Sequence, residues 1–430
     1  MAKTVAFYTL GCKVNQYETE SMSEMFKSCG YEIRGFEEFA DVYVINTCSV
    51  TSLADRKSRT QIRKAKKINK NAIVVVCGCY SQTNPEAVEA IPDVDIVIGS
   101  SGKGDIVSIV EQKGEEKIFK VNDIMEQKVF EDSPVTGHND KTRAFMKIQD
   151  GCDNYCTYCI IPYARGHVRS RSLESIKKEA EEFARKGFKE IVLTGIHITS
   201  YGKETGEYTL LDVLRTLHGI EEIKRIRLGS LEFTPELIKI AENFAQFPKL
   251  CNHFHVSLQS GCNETLRRMG RRYTAEEYME GIHLLCKAFP NAAITTDIMV
   301  GFPGETLEEF MQSRDFAEKA EFAKMHIFPY SARSGTRAAK MDGQIDKEIK
   351  KKRVELLESL NKKNIRLFAR KQVAKLHKVL FEQEEGGYYV GHTTNYLLVY
   401  VKSNRDITKE IHSVRVKAFK DDKLYGDIEE

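Results

Sequence analysis

The sequence predicts a mixed α/β protein in three parts: a parallel sheet covered by helices, a partial β/α barrel, and a small all-β barrel. Near-continuous apolar strands alternate with helices over the first quarter of the chain. The alternation resumes between Arg143 and Tyr330, and the chain then ends in short β-type segments separated by turn residues. A length of 430 residues leaves room for about two to four domains.

The N-terminal part carries four strand candidates with helix-like stretches between them. Strands that are apolar on both faces are typical of a parallel sheet with helices on each side. The candidates are KTVAFYTL, VYVINT, AIVVVCG and VDIVIGS. The stretch from Lys103 to Lys141 is more polar and irregular, so we predict a first domain at 1–115 and a boundary after it.

The middle part repeats the strand–helix pattern six times, and we predict a core domain at 138–368. The strand candidates are AFMKIQ, EIVLTG, IKRIRLG, HFHVSLQ, AAITTDIMVG and KMHIFPY. A doubly wound sheet and an incomplete (β/α)6 barrel both fit this pattern. Polar or glycine residues at the strand ends favour the barrel, because barrel chemistry lies there. Gly195, Ser230 and Gln259 stand at such ends and are candidate cofactor contacts.

A charged helix precedes a β-rich end. From Lys340 to Lys378 there are 13 Lys or Arg against 5 Asp or Glu, a local charge of +8, and no proline. The segments KVLFEQ, GYYVGHT, NYLLVYVKS, EIHSVRVKAF and KLYGDI then read as short strands. We predict a small all-β barrel at 371–430.

Composition excludes some classes of protein and points to others. No apolar run approaches the roughly 18 residues of a membrane span, and the first residues lack the apolar region of a signal peptide. We therefore expect no membrane partner and a cytosolic address. The chain has 11 Cys, an odd number, and a cytosolic protein of this length needs no disulfides. Clustered cysteines therefore indicate metal or redox chemistry.

The first cysteine set is the CDNYCTYC segment, which holds Cys152, Cys156 and Cys159 just after a strand. Three thiolates so close in sequence can converge on one soft metal centre. A zinc site needs a fourth ligand, and His167 is the nearest candidate. Three ligands alone suit a 4Fe–4S cluster that leaves one iron open for a substrate.

The second set is Cys12, Cys48 and Cys79, which follow the first three strands of the N-terminal sheet. The carboxyl ends of parallel strands lie along one edge, so these thiols can converge on a second, three-ligand cluster site. Three unrelated buried cysteines are an equally good interpretation of the spacing alone. Cys77 competes with Cys79 for the third position; we favour Cys79 because it follows Gly78 out of the strand.

Basic residues without acidic neighbours suggest an RNA partner. One helix carries Arg56, Lys57, Arg59, Arg63, Lys64, Lys66, Lys67 and Lys70. A second group is Arg267, Arg268, Arg271 and Arg272. Each patch alone fits a solvated face. Together with the +8 helix and Tyr388, Tyr389, Tyr396 and Tyr400 near the C-terminus, they favour nucleic acid, because phosphates attract clustered Lys and Arg and exposed rings stack on bases.

The CDNYCTYC spacing resembles the radical S-adenosylmethionine (SAM) superfamily, and Tyr158 matches the aromatic residue usual before the third Cys. The resemblance implies that the open iron binds the amino and carboxylate groups of SAM. Reductive cleavage of SAM then yields a 5′-deoxyadenosyl radical. Tyr158 is accordingly a candidate cofactor contact.

A wider set of motifs resembles the radical-SAM methylthiotransferases. The motifs are GCKVNQYETE, NTCSVT, GCYSQ, GCDNYCTYCIIPYARG, HVSLQSG, VGFPGET and FPYSARSGT. The family order is an N-terminal methylthiotransferase domain, a radical-SAM core and a TRAM domain, and TRAM domains are associated with RNA. The resemblance implies two 4Fe–4S clusters, the second on Cys12, Cys48 and Cys79.

The subtype that fits best acts on N6-threonylcarbamoyladenosine next to the tRNA anticodon. This expectation rests on GCKVNQYETE, NTCSVTSLADRKSR and CTYCIIPYARG. It implies SAM as cofactor and tRNA, an electron donor and a sulfur source as partners. Methylthiolation of isopentenyladenosine or of a ribosomal protein, and a non-catalytic iron–sulfur RNA-binding protein, remain alternatives.

Overall fold

Three bodies of secondary structure follow one another in the computed structural model, which describes residues 3–133, 135 and 142–429. The first is a six-stranded sheet, the second an open barrel of strands and helices, and the third a closed β-barrel. This order confirms the predicted fold class. Within the described residues, every helix is too short or too polar to span a bilayer.

The N-terminal sheet is parallel throughout, with the strand order β2-β1-β3-β4-β5-β6. Its strands are β1 (Thr4–Thr9), β2 (Glu32–Arg34), β3 (Val42–Thr47), β4 (Ile73–Gly78), β5 (Ile96–Ile98) and β6 (Ile118–Lys120). The four predicted strands are present. The two edge strands, β2 and β6, were not expected, because each has three residues and no apolar run.

Helices cover both faces of this sheet. They are α1 (Lys13–Ser28), α2 (Ser52–Ile68), α3 (Cys79–Thr83), α4 (Pro85–Glu89) and α5 (Ile106–Glu111). Val44 and Val75 pack with α1 and α5 on one face, while Tyr43 and Val74 pack with α2 on the other. Successive strand residues therefore enter opposite cores, as the two-residue period of a strand requires.

The core domain forms an open barrel from two short sheets, β11-β10-β7 and β12-β13-β14-β15. Its strands are β7 (Arg143–Lys147), β8 (Gln149–Asp150), β9 (Arg169–Ser170), β10 (Glu190–Thr194), β11 (Arg225–Leu228), β12 (Ser230–Glu232), β13 (His253–Ser257), β14 (Ala293–Val300) and β15 (Lys324–Pro329). Only Gly229 separates β11 from β12, so one bent strand joins the sheets and six strand positions result. The barrel is therefore the correct alternative, and the doubly wound sheet is not.

The barrel helices pack outside the strands around a large apolar core. They are α6 (Ile161–Arg165), α7 (Leu173–Arg185), α8 (Leu210–His218), α9 (Pro235–Ala241), α10 (Asn263–Met269), α11 (Ala275–Ala288), α12 (Leu307–Lys319) and α13 (Lys347–Arg370). The predicted Lys340–Lys378 helix is α13, which is shorter at both ends. Asp346 caps it, and Asn361 bonds to the backbone of Met325, so α13 belongs to the barrel.

The C-terminal body is a closed five-stranded barrel in the order β16-β17-β18-β20-β19. Its strands are β16 (Leu376–Glu385), β17 (Tyr388–Thr393), β18 (Leu398–Val401), β19 (Ile411–Lys420) and β20 (Lys423–Ile428). Arg225 and Arg227, at the start of β11, donate to backbone carbonyls of residues 392–394 at 2.9–3.0 Å. Both arginines also pair with Glu190. The small barrel is thus attached at the amino ends of the core strands.

Candidate metal centres

The N-terminal cysteine set lies on three neighbouring strand ends. Cys12 follows β1 and precedes α1, Cys48 follows β3, and Cys79 is the first residue of α3 after β4. Because β1, β3 and β4 are adjacent in the sheet, their carboxyl ends put the three loops side by side. Cys12 is exposed, while Cys48 and Cys79 are buried.

Glycine allows the loops of this set to approach closely. Gly11 has a φ of +109°, and a Cβ at this position would lie 3.0 Å from Cβ of Cys48 and 3.2 Å from its sulfur. Burial raises the pKa of Cys48 to about 11; a backbone hydrogen bond at Val50 opposes this, and the charges of Cys79 and Cys12 add to it. The three thiols therefore lie on adjacent loops and close enough for their charges to interact.

Two polar side chains tie the three loops together. Asn15 Nδ2 donates to the carbonyl of Leu10 at 2.7 Å and to that of Thr47 at 2.9 Å, which joins the loops of Cys12 and Cys48. The hydroxyl of Thr47 donates to the carbonyl of Cys77 at 2.6 Å and accepts from the amide of Tyr80 at 3.2 Å. The positions of the three cysteines are thus coupled through the backbone.

Cys77 and Cys79 face different surroundings. Cys77 is fully buried in the apolar cluster that contains Val44 and Phe26, and burial raises its pKa to about 12. Besides burial, the charge of Cys79 raises the pKa of both Cys12 and Cys48, whereas the pKa of Cys77 is raised mainly by burial. The structure therefore brings Cys79 together with Cys12 and Cys48 and leaves Cys77 in the core of the sheet.

The second set lies on the loop between β8 and α6, and its backbone is held at several points. The amide of Cys152 donates to the carbonyl of Gly166 at 3.0 Å, and that of Thr157 donates to the carbonyl of Met269 at 2.9 Å. A Cβ on Gly151, whose φ is +75°, would overlap the carbonyl of His167. These contacts bend the chain so that the three thiols share one loop.

The thiols of this set also influence one another. Burial raises the pKa of Cys152 to about 12, and it raises that of Cys159 further, with the charge of Cys156 adding to both. Arg271 donates from Nη1 to the sulfur of Cys156 at 3.4 Å and forms an ion pair with Glu232. A charged hydrogen-bond donor is thus present at one of the three sulfurs.

A cavity of about 590 Å³ opens beside Cys156. Its lining includes His197, Thr199, Glu232 and Arg271. His197 Nε2 and Thr199 Oγ1 are buried and have no hydrogen-bond partner among the described residues. The volume falls in the range of small-molecule sites.

The four residues predicted as cofactor contacts lie near this cavity region without lining it. Tyr158 packs on Phe302. Burial raises the pKa of its hydroxyl, and the charge of Arg271 opposes this rise. Gly195 and Gln259 follow β10 and β13, and Ser230 begins β12. Their contact with a cofactor stays a prediction.

The sequence analysis missed His197, Glu232 and Arg271. It assigned Arg271 to a basic surface, which is wrong, because this side chain is 3% exposed and paired with Glu232. Their position in the sequence could have indicated two of them, because His197 and Glu232 each lie at or just beyond the end of a barrel strand.

Neither cysteine set forms a complete single-ion site within the described residues. No three Cys, His, Asp or Glu side chains among the described residues are grouped as ligands of one ion. Thiolates on one zinc ion stand about 3.8 Å apart, whereas cubane thiolates bind different irons and stand wider. His167 bonds instead to Asp153, at 2.7 Å. Thiol sulfur is the ligand that iron–sulfur clusters require, so the chemistry of the donors in each set suits such a cluster.

The basic helix α2 starts beside the N-terminal set. Its Asp55 pairs with Arg333 of the core, and Arg333 also donates to Ser49, next to Cys48, at 3.1 Å. Its exposed basic residues without an ion-pair partner in the described part of the chain are Arg56, Lys57, Arg63 and Lys67. A positively charged surface therefore leads away from the thiols.

The C-terminal tyrosines are less available than predicted. Tyr400 is buried, and Tyr396 stacks on His253 and His392 with ring centroids 4.8 Å and 4.5 Å apart. Tyr388 packs against Tyr400. The expectation of an exposed ring is wrong for Tyr400, whereas Tyr396 is 37% exposed although it packs on the two histidines.

Comparison with known proteins identifies two matching families. Residues 146–317 match the radical SAM superfamily, and residues 4–99 match a family described as uncharacterized protein family UPF0004. The first match contains the Cys152 set and the second contains the Cys12 set.

Named relatives extend over nearly the whole chain. The threonylcarbamoyladenosine tRNA methylthiotransferase MtaB of Bacillus subtilis is 43% identical, over 96% of this chain and 93% of the relative. The Thermotoga maritima protein of that name is 38% identical over 98% and 96%. A tRNA-2-methylthio-N(6)-dimethylallyladenosine synthase of Dictyoglomus thermophilum is 36% identical over 95% and 94%.

Solved structures share the fold at low identity. The radical SAM methyltransferase TsrM from Kitasatospora setae, with cobalamin and a [4Fe-4S] cluster, has a TM-score of 0.60 at 15% identity, over 79% of this chain and 77% of that one. The cobalamin-dependent SAM radical enzyme OxsB has a TM-score of 0.52 at 14% identity, over 83% and 56%. These similarities concern the fold alone.

Proposed function

The chain belongs to the radical-SAM methylthiotransferase family, and we propose that it attaches a methylthio group to C2 of N6-threonylcarbamoyladenosine in tRNA. The structural observation that carries this proposal is the presence of two separate three-cysteine sets, with α6, which follows one set, packed against α3, which begins with Cys79 of the other. Identity of 43% to the Bacillus subtilis threonylcarbamoyladenosine relative, against 36% to the Dictyoglomus thermophilum dimethylallyladenosine relative, supports the choice of nucleoside.

The family implies a 4Fe–4S cluster and SAM, and we assign this cluster to Cys152, Cys156 and Cys159. We assign a second cluster to the N-terminal set. When bound, these groups would supply the hydrogen-abstracting radical from one SAM, the methyl group from another SAM, and a place to hold the sulfur before its transfer. Iron binding at each site displaces the thiol protons, so the raised pKa values of these thiols oppose binding.

The chain's own residues prepare the cavity for SAM. Arg271, fixed by Glu232, holds the sulfur of Cys156 in place and presents a positive charge at the cavity wall. His197 and Thr199 are proposed as further contacts of the ligand, since both residues line the cavity. Tyr158, Gly195, Ser230 and Gln259 are proposed as outer contacts of the same ligand.

Helix α2 is proposed as the approach surface for tRNA. Its unpaired cations are placed to bind phosphates, and its first turn begins beside Cys48. An electron donor and a sulfur source complete the reaction, and we propose a cytosolic location for it.

Nucleoside analysis tests the proposed function. A strain that lacks the gene should lose the 2-methylthio derivative of threonylcarbamoyladenosine from its tRNA. The intact gene should restore the derivative, and a Cys156→Ala variant expressed at the same level should not. Restoration of 2-methylthio-dimethylallyladenosine instead would assign the enzyme to the other nucleoside, and unchanged tRNA would contradict a role in tRNA modification.

A further inference from the structure

One arginine of the core domain reaches into the N-terminal domain. Arg165 ends helix α6, six residues after Cys159, and its side chain is 0% exposed. Helix α6 packs against α3, the helix that begins with Cys79. A charged side chain of the radical-SAM core therefore lies at the boundary with the other cysteine set.

Arg165 is held by side chains from both domains. It forms an ion pair with Glu18 of α1, and Nη1 lies 3.3 Å from Asp150 of its own domain. Lys103 and Lys147 also pair with Glu18, each at 2.8 Å. With Arg169, which lies 3.9 Å from Asp150, four cations share these two buried carboxylates, so Arg165 is rigidly placed and its charge is only partly neutralised.

The same guanidinium is linked to the thiols. Nη2 of Arg165 donates to Oδ1 of Asn15 at 2.6 Å, and the sulfur of Cys12 lies 3.9 Å from that oxygen. Burial alone would lower the pKa of Arg165, but attraction to Cys79 first, and then to Glu18, raises it well above its usual value. Nε is buried and has no hydrogen-bond partner among the described residues.

We propose that Arg165 is a positioning residue for the N-terminal cluster, supplying a fixed positive charge and a free Nε–H donor beside its sulfur atoms. This inference rests on the proposed function, since it takes the Cys12, Cys48 and Cys79 set as cluster ligands. A buried cation stabilises the more negative, reduced form of a cluster, and hydrogen bonds to its sulfurs act in the same direction. Arg165 therefore raises the reduction potential.

Arg271 offers a parallel within the same chain. It donates to the sulfur of Cys156 at 3.4 Å and is balanced by the single carboxylate of Glu232. Each cysteine set thus has one buried arginine supplied by the core domain. The core therefore influences both clusters, although only one of them is bound by its own cysteines.

The test uses the full-length chain with Cys152, Cys156 and Cys159 replaced by alanine, so that only the N-terminal set can hold iron. Arg165→Gln, Arg165→Lys and the control Arg169→Gln are made in this background. Arg169 is a matched control because it is also buried and lies 3.9 Å from Asp150, yet bonds to backbone carbonyls of 127, 165 and 167.

Potentiometric titration followed by EPR measures the effect. Arg165→Gln should lower the ratio of reduced to oxidised cluster at a given potential by about tenfold, a shift of about 59 mV to more negative values. Arg165→Lys, which keeps the charge but loses Nε, should shift less, and Arg169→Gln should match the background. Equal potentials in all four proteins would overturn the inference.

A second readout covers the case in which Arg165→Gln does not fold. Pulsed EPR of the background protein, labelled with ¹⁵N-arginine, should show a weak nitrogen coupling to the cluster that Arg165→Lys removes and Arg169→Gln retains. A cluster without that coupling would contradict the inference alone. A background protein that binds no iron would instead overturn the assignment of the N-terminal cluster, and the inference with it.

Discussion

Replacing Cys77 and Cys79 separately distinguishes a packing cysteine from a cluster ligand. Two cysteine sets with four irons each predict about eight irons per anaerobically reconstituted chain. Cys79→Ala should reduce the content to about four, because one of the three N-terminal thiolates is removed. Cys77→Ala should keep about eight, because its sulfur faces Val44 and Phe26 rather than Cys12 and Cys48.

The two variants should be similar in stability. Cys77 is 0% exposed, so removing its sulfur leaves a small cavity and should lower the free energy of unfolding of the cluster-free chain by about 1 kcal/mol. Cys79 is 4% exposed at the first turn of α3, and its removal should cost about as much. A difference in iron content between the two therefore reflects ligation and not a difference in folding.

The products of one reaction give the functional readout. Cys79→Ala should still form 5′-deoxyadenosine from SAM under reduction, since the core set is intact, but no methylthio nucleoside. Cys77→Ala should form both products. Mass spectrometry of the same mixture measures both.

Two results would contradict this reasoning. Methylthiolated tRNA from the double Cys77→Ala, Cys79→Ala variant would show that the N-terminal site is misassigned. Full iron in Cys79→Ala combined with loss of iron in the double variant would show that Cys77 replaces Cys79 after a loop shift.

Three further predictions concern the network, the domain attachment and the RNA surface. Glu18→Gln should lower the free energy of unfolding of the cluster-free chain by about 3 kcal/mol at neutral pH in urea titrations, because three buried cations lose their shared carboxylate. Burial opposes ionisation of Glu18, but Arg165, Lys103 and Lys147 hold its pKa well below 4.5. The ionised carboxylate therefore stabilises the fold above pH 4.5, and this stabilisation is lost as the pH falls. The free energy of unfolding of the variant should thus depend less on acid pH than that of the parent, and an equal dependence would count against the network. Arg227→Ala should make the C-terminal barrel easier to release by limited proteolysis, since the variant cannot bond to the carbonyls of residues 393 and 394, and an unchanged cleavage rate would argue against this attachment. Replacing Arg63 and Lys67 of α2 with Gln should weaken tRNA binding and reduce the slope of log affinity against log salt by roughly 0.7–0.9 for each phosphate that is no longer neutralised, with iron content unchanged, whereas an unaltered slope would remove α2 from the tRNA surface.

The central strands and the cysteine positions could be predicted because they depend on local patterns. Buried parallel strands are apolar on both faces, and residues after them share one edge, so the sequence alone places Cys12, Cys48 and Cys79 together. The edge strands β2 and β6 could not be predicted, because pairing with neighbouring strands, and not a local apolar pattern, makes these residues strands. The ends of α13 could not be predicted, because the charged, helix-favouring sequence continues beyond both ends. Capping and tertiary contacts limit the helix at Asp346 and Arg370.

Buried arginines were the main failure at the sites. In sequence, Arg271 is one of four arginines around Met269–Gly270 and looks like part of a solvated patch. Its burial depends on Glu232, which is 39 residues away, and no local pattern reports that pairing. Arg165 depends on Glu18, which is 147 residues away in another domain.

The N-terminal site includes residues of two domains, because Arg165 belongs to the core. The predicted domain at 1–115 contains all three of its cysteines, and the sheet brings the loops that carry them to one edge. The same fragment would leave Glu18 without Arg165 and Lys147, and Asn15 without the donor at its side-chain oxygen. A buried carboxylate that loses two of its three cations is strongly destabilising. The second site is therefore a property of both domains, and its geometry is set where α1 of the sheet meets α6 of the barrel.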